Sequence, residues 1–233
     1  MIIMPKRRAA FTGMLLATAL LVLLASAASA APGTTNTVGW SFLNNEGLAG
    51  ALYDAGYEPM KGMLTTGGII LVPVSDKLSV GIAGASAYGW SKLEVRSAEL
   101  EIAHGGIAIE YGSRVGDKVN LGIGGAVGIG TATLATKQGT IVDFSGVLDA
   151  ANSARAWRPY LVAQPMASIG FAVSPFVNVS ISGGYTFMWS PIGWVDGFAF
   201  RDNFEGPLKT IGMPFVQIGI DFGTTDVIGE SGR

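Results

Sequence analysis

The sequence predicts an all-β fold, an eight-stranded antiparallel up-and-down transmembrane β-barrel. The composition does not suit a soluble surface, since 34 of the 233 residues are glycine and only 14% are charged, against about 25% in typical soluble domains. Large apolar residues alternate with small ones along several segments, which is the period of a strand with two different faces. Short turns also alternate with long connections, as they do when strands run up and down a closed sheet.

The first 30 residues have the organisation of a secretory signal peptide. Residues 6–8 are basic, residues 14–24 are almost wholly apolar, and residues 28–30 are Ala-Ser-Ala, the small-x-small form of a cleavage site. The apolar run is shorter than the about 20 residues that a transmembrane helix needs. We therefore expect a signal peptide over residues 1–30 with cleavage near Ala30, a barrel over residues 31–222 and a C-terminal tail over residues 223–233.

The composition also limits the chemistry. The chain has no cysteine and one histidine, His104, which leaves no disulfide framework and no conventional zinc cluster. Acidic residues outnumber basic ones, 17 to 15, and cleavage near Ala30 would remove three of the basic ones, which argues against a nucleic-acid partner. We predict no cofactor, no metal site and no catalytic residue. Because no later apolar run reaches 18 residues, a membrane form has to be a closed barrel.

Three hairpins are predicted where an alternating apolar run, a tight polar turn and a second alternating run follow one another. A first strand near residues 37–43 and a last strand near residues 209–222 bring the total to eight. The hairpins cover residues 69–90, 107–134 and 160–189, with turns at residues 75–77, 115–118 and 174–176.

The other connections are long, with one exception. Residues 44–63, 135–156 and 191–208 form long gaps, and residues 146–156 allow a short helix within the second of these. The exception is residues 96–99, which are predicted to join two strands long enough to project beyond a bilayer. With both termini on one side, the three short turns lie on that side and these four connections lie on the opposite side, the usual arrangement of outer-membrane barrels.

The two faces of the predicted strands decide between a soluble and a membrane barrel. Residues 78–90 alternate large apolar side chains with Gly, Ala and Ser, and residues 119–130 and 177–189 repeat this pattern. A soluble barrel would turn the large side chains inward and show water only the small ones, whereas a membrane barrel turns the large ones to lipid. The second arrangement accounts for both faces. Its interfacial aromatic residues would be Trp40, Tyr88, Trp90, Tyr185, Phe187 and Trp189.

With these strands and turns, the chain resembles the small outer-membrane β-barrels of the OmpA/OmpX type over nearly all of residues 31–222. The resemblance lies in pattern and topology, and it implies an outer-membrane location with the lipid bilayer as partner. In that family the last strand ends in an aromatic residue. Here Phe215, Ile218, Ile220 and Phe222 belong to that strand, but the chain continues beyond it. Pro165, in the middle of the sixth strand, predicts either a lost ladder bond or a bulge.

Polar residues on the small-residue face are the candidate site. They would form either a structural hydrogen-bonded network, which is favoured because buried charges must be paired, or a gate lining a narrow path for small solutes. Most are expected toward the short-turn end, whereas Arg158 is expected near the opposite end. The set is Glu110, Arg114, Asn120, Arg158, Gln164, Asn178, Gln217 and Asp221.

The leading hypothesis is an integral outer-membrane barrel without enzymatic activity, in a structural or surface-interaction role or as a narrow passive pore. Two alternatives stay open, a secreted or periplasmic β-barrel that binds an apolar ligand and a lipid-modifying enzyme that uses His104. His104 and Glu110 share a face, but six residues along a strand span about 20 Å, too far for an acid/base pair.

The long gaps and the glycines carry two further expectations. Residues 44–63 and 191–208 are rich in apolar side chains, and we expect them to pack over the barrel mouth, the alternative being an external surface that binds a partner. The small side chains of the lumen face predict a water-filled cavity or a loop folded inward. The ionisable groups of the lumen are expected near its two ends.

Overall fold

The computed structural model of the chain describes residues 34–43, 46–60, 62–93, 96–116, 118–138, 153–174, 176–196 and 203–222. The predicted signal peptide and the predicted C-terminal tail lie outside these residues. The described elements, in chain order, are β1 (Thr34–Phe42), α1 (Glu46–Asp54), β2 (Gly62–Pro73), β3 (Leu78–Leu93), β4 (Arg96–Val115), β5 (Val119–Gln138), β6 (Ser153–Ser174), β7 (Val177–Trp189), β8 (Trp194–Asp196), β9 (Asn203–Phe204) and β10 (Thr210–Phe222).

The described strands form a closed antiparallel barrel. Each of the eight long strands in the described ranges pairs with the next long strand along the chain, and β1 pairs with β10, with Thr35 opposite Asp221. The short strand β8 pairs with residues 156–157 near the start of β6, and β9 pairs with β8. The predicted eight-stranded up-and-down barrel is therefore confirmed.

Two predicted connections are strands in part. Residues 96–99 were predicted to join two strands, but they begin β4 and pair with both β3 and β5. Polar and charged residues are compatible with a strand there because this part of the barrel wall lies beyond the apolar band. Residues 153–156, predicted as the end of a short helix, pair with β5 as the start of β6. Residues 146–152 lie outside the described residues.

Pro165 interrupts the sheet without a bulge. Pairing between β6 and β7 stops at Ala163 and resumes at Met166 in the same register, because proline has no N–H to donate. Across the interruption, the Gln164 side-chain amide donates to the Thr186 hydroxyl at 3.0 Å. The predicted loss of a ladder bond is confirmed and the predicted bulge is wrong, since the register shift in this strand pair lies at residues 172–174.

The outer face of the barrel is largely apolar over a band of bilayer thickness, with Thr66, Ser86 and Thr131 as polar exceptions. Ile123 is 66% exposed and Ile129 is 71% exposed, and both project outward between inward-facing glycines. The outward face of β3 runs from Leu78 to Trp90, about 40 Å along the strand at about 3.3 Å per residue. A strand tilt of about 40° reduces this span to about 30 Å, the thickness of the hydrocarbon core.

Many inward-facing glycines are required by the narrow barrel. A Cβ added to Gly81 or Gly106, both on the inner face, would overlap a backbone carbonyl oxygen of the neighbouring strand. A Cβ added to Gly84 or Gly105, both on the outer face, would lie 3.5 or 3.4 Å from its nearest neighbour, which is ordinary contact. Inward Cβ atoms converge on the concave side of a strongly curved sheet, whereas outward ones diverge. The outward-facing Gly125, opposite Pro165, is an exception, since an added Cβ would lie 2.7 Å from the Gln164 carbonyl oxygen.

The adjacent residues Gly105 and Gly106 provide a matched test of this crowding. Gly106→Ala is expected to lower the free energy of unfolding by about 1–3 kcal/mol, because the methyl group overlaps the Val127 carbonyl. Gly105→Ala is expected to be neutral or to stabilise by up to about 1 kcal/mol, because alanine suits a strand better than glycine. Urea unfolding of the chain refolded into lipid vesicles measures both. Equal effects of the two substitutions would contradict the explanation.

Candidate functional site

The lumen is filled at the end that carries the long connections. There the described parts of two connections, residues 46–60 together with 190–196 and 203–208, fold over the barrel mouth, and we call them the cap. Apolar side chains of the cap pack against inward side chains of the barrel wall. The expectation that these segments pack over the mouth is confirmed. The buried cluster comprises Leu43, Leu48, Leu52, Tyr57, Met60, Met63, Ala87, Ala98, Leu100, Ile102, Ala132, Tyr160, Val162, Met188, Trp194, Leu208, Ile211 and Met213.

Helix α1 supplies one half of the cap. Leu48 and Leu52, four residues apart on one helix face, are buried in the cluster. The helix ends at Asp54, and Gly56, two residues beyond, turns the chain away with a φ of 79°, the left-handed conformation that glycine adopts readily. The guanidinium Nη1 of Arg96 donates to the Ala55 carbonyl oxygen at 2.6 Å, and so β4 holds the end of the helix in place.

Hydrogen bonds from large side chains hold the other half of the cap. Arg158 is 2% exposed, and its position at the long-connection end agrees with the sequence expectation. Its Nη1 atom donates to backbone carbonyls of the cap, which makes it a structural anchor in this structure. The bonds run from Arg158 Nη1 to the Gly206 and Pro207 oxygens at 3.3 and 3.2 Å, from Trp194 Nε1 to the Pro207 oxygen at 2.8 Å, and from the Tyr160 hydroxyl to the Leu208 oxygen.

The other half of the lumen holds a polar cavity of about 470 Å³. It extends to the short-turn end, where Asp76 and Lys77 line it. The small-residue face was expected to leave a cavity or to admit a loop, and the structure has both, at opposite ends. Of the predicted polar set, all but Arg158 line this cavity: Glu110, Arg114, Asn120, Gln164, Asn178, Gln217 and Asp221.

Glycines beneath the polar side chains keep the cavity open. Glu110 reaches from β4 past β5 to hydrogen-bond with Ser168 on β6. It crosses Gly122, where an added Cβ would lie 3.0 Å from the Glu110 carboxyl carbon. Gly170 similarly lies beneath Asn178, because a Cβ added to Gly170 would lie 3.1 Å from the Asn178 amide nitrogen. Polar side chains therefore lie along the wall and leave the centre free.

The charges of the cavity differ in their exposure. Arg114 and Lys77 are exposed near the rim, whereas Glu110 and Asp221 are half-buried. Asn178 and Asp221 face each other across the β7–β10 ladder. The Oδ1 atoms of both residues are buried without a hydrogen-bond partner.

His104 faces inward at the boundary between the two halves. Its partners in the ladder are Ala85 and Gly130, and Ile102, the next inward residue on β4, belongs to the apolar cluster. Within the described ranges, no three His, Cys, Asp or Glu side chains are grouped so that they could hold a metal ion.

The six predicted interfacial aromatic residues all project from the outer face. Trp40, Tyr88 and Trp90 are exposed near the long-connection end, and the Tyr88 hydroxyl donates to Glu101 at 3.1 Å. Tyr185 packs on Phe187 with ring centroids 4.4 Å apart and is half-buried. Phe215 lies on the opposite face from Ile218 and is buried in the lumen, although both were assigned to the last strand without distinction.

Sequence reasoning did not identify the partners of the polar residues. Ser168 and Thr186 lie on the inner face by the same alternation that selected Glu110 and Gln164, so that the period-2 signal could have included them. The bonds of Arg158 and Arg96 to the cap had no comparable signal, because their acceptors are backbone carbonyls of distant connections.

No family model and no curated protein sequence matches the chain. Among described helices, none is long and apolar enough to cross a membrane. Solved structures match at low identity: Ail, the attachment invasion locus protein of Yersinia pestis, has 13% identity over 82% of this chain and 99% of its own, with a TM-score of 0.41. Ail in complex with the heparin analogue sucrose octasulfate has 11% identity over the same shares, with a TM-score of 0.44.

The outer membrane protein OprG from Pseudomonas aeruginosa has 10% identity over 82% of this chain and 95% of its own, with a TM-score of 0.34. These likenesses carry no argument about function. Strand number, strand order and closure stand on the chain's own ladder. The strand number, the strand order and the closure confirm, at the level of the fold, the predicted resemblance to small eight-stranded outer-membrane barrels.

Proposed function

We propose that this chain is an integral outer-membrane β-barrel without enzymatic activity, which presents a packed cap on the cell surface and does not form an open pore. The observation that carries the proposal is the combination of an apolar outer band with a lumen filled by apolar side chains at its long-connection end. The proposal includes cleavage near Ala30 and short turns on the periplasmic side. The lipid bilayer is its partner, and an external partner would meet the cap, where Tyr53 is 72% exposed.

The two faces argue against a secreted barrel with an apolar ligand. Such a barrel needs an apolar cavity, but the apolar half of this lumen is already filled by the chain's own side chains. The remaining cavity is lined largely by hydroxyl, amide and charged groups together with glycines. Outside, the aliphatic band would face water, which costs about 25 cal/mol per Å² of apolar surface.

Both the pore and the enzyme hypotheses lose support from the filled lumen. A narrow pore needs a polar path at both ends, and the packed cap covers one of them. A lipid-modifying enzyme needs its reactive group within reach of the outer leaflet, but His104 faces inward below the apolar cluster. The eight-stranded lumen is also only just wide enough for side chains.

Cell fractionation tests the membrane location. We expect the mature chain, beginning near Ala31, in the outer-membrane fraction, and we expect it to migrate faster in SDS gels before heating than after, because closed barrels resist SDS. N-terminal sequencing and the gel shift measure both points. Recovery of the chain from the soluble periplasm without detergent would overturn the proposal.

Conductance across planar bilayers tests the closed lumen. We expect no steady conductance from the refolded chain, because the buried cluster leaves the long-connection end without a polar path in the described residues. A heat-modifiable sample that shows steady conductance would favour the narrow pore instead.

Limited proteolysis tests the anchoring of the cap. The double substitution Arg158→Ala and Tyr160→Phe removes donors to residues 206–208. Since each bond contributes about 1 kcal/mol, trypsin cleavage after the neighbouring Lys209 is expected to accelerate about tenfold or more. The control is Arg155→Ala, an exposed residue on the outer face of the same strand. Equal cleavage rates for the double variant, the control and the unchanged chain would refute the anchoring role.

A further inference from the structure

The cavity at the short-turn end has the size of a ligand site. Its volume of about 470 Å³ lies within the range of about 300–1,000 Å³ typical of small-molecule pockets. Side chains usually fill a barrel of eight strands, but here glycines such as Gly122 and Gly170 let polar side chains lie flat against the wall. The open volume is therefore a product of specific small residues beneath specific polar ones.

The least exposed charges of this cavity are negative. Glu110 and Asp221 are half-buried, whereas the basic residues that line the cavity, Arg114 and Lys77, are exposed near its rim. The remaining polar lining consists of the exposed Asp76 at the short-turn end together with neutral amides and hydroxyls, including Gln164, which is engaged with Thr186, and Ser168, which is engaged with Glu110. Because a partly desolvated site strengthens charge interactions, this arrangement favours a cation.

Two acceptor atoms at the wall of the cavity lack donors. Asn178 and Asp221 are opposite each other in the ladder, and the Oδ1 atom of each is buried without a hydrogen-bond partner. A buried acceptor without a donor is unfavourable, and both side chains would gain from a group that carries several N–H donors. A primary ammonium group carries three. Gly170, which has no side chain beside Asn178, leaves room for that amide to turn toward such a group.

We propose that this cavity binds a small solute with a primary ammonium group, which donates to Asp221 and Asn178 while Glu110 supplies a second negative charge. A linear diamine of four carbons is small enough for the volume of about 470 Å³. This inference goes beyond the proposed function, because it concerns the end of the lumen opposite to the cap.

The test is an NMR titration of the full mature chain, refolded in detergent micelles, with 1,4-diaminobutane as the probe. We expect saturable shifts of the backbone amides of Asn178, Ser180, Gln217 and Asp221, all on the cavity wall. 1,4-Butanediol has the same carbon skeleton with neutral ends, and we expect at least about tenfold weaker binding from it because it lacks charge-assisted hydrogen bonds.

Matched variants test whether the diamine binds in the cavity. Asp221→Asn and Glu110→Gln each remove one charge with little change in shape, and each is expected to weaken diamine binding about tenfold. Glu99→Gln, on the outer face at the other end, is expected to leave it unchanged. The heat-dependent gel shift verifies folding, and if Asp221→Asn fails to fold, Glu110→Gln carries the test. Absence of saturable shifts, an equal response to the diol, or unchanged affinity in the folded acidic variants would overturn the site. None of these results affects the fractionation and conductance tests of the proposed function.

Discussion

Closure of eight strands into a narrow cylinder is the constraint on which the rest of this structure depends. On the concave inner face, Cβ atoms converge, and at Gly81, Gly106 and Gly128 a side chain would overlap the backbone of the neighbouring strand. On the convex outer face they diverge, so that Ile82 and Ile107 are accommodated without crowding. The same curvature therefore explains the high glycine content of the chain and the concentration of its large aliphatic residues on the outside.

The glycine-lined inner face serves the two ends of the barrel differently. At the short-turn end, polar side chains lie over glycines, as Glu110 does over Gly122, and the centre stays open. At the long-connection end, the chain fills the space with side chains from the cap, because a closed barrel wall extended by β3 to β6 leaves an apolar inner surface to cover. Arg96 and Arg158 attach the cap to the wall through backbone carbonyls.

A side-chain hydrogen bond takes the place of a backbone ladder bond where the backbone of β6 cannot pair with β7, and the barrel stays closed there. Pro165 removes ladder bonds between β6 and β7, and the Gln164 amide bridges the same interval to Thr186 on the inner face. Gln164 was selected from the sequence as part of a polar gate or network, and in the structure it supports the sheet. A polar residue in a lumen thus has a structural use that its position on a strand does not reveal.

The sequence by itself determined the number of barrel strands, their antiparallel order, and the face on which nearly every named side chain lies, because a period of two and the chemistry of turns are local properties. The predicted polar and aromatic residues accordingly project to the expected faces. Only the tertiary structure decided that β4 begins at Arg96, that Phe215 is buried in the lumen, that one end is filled and the other open, and that Glu110 meets Ser168. These depend on the stagger between strands and on the path of long connections, which couple residues far apart in the chain.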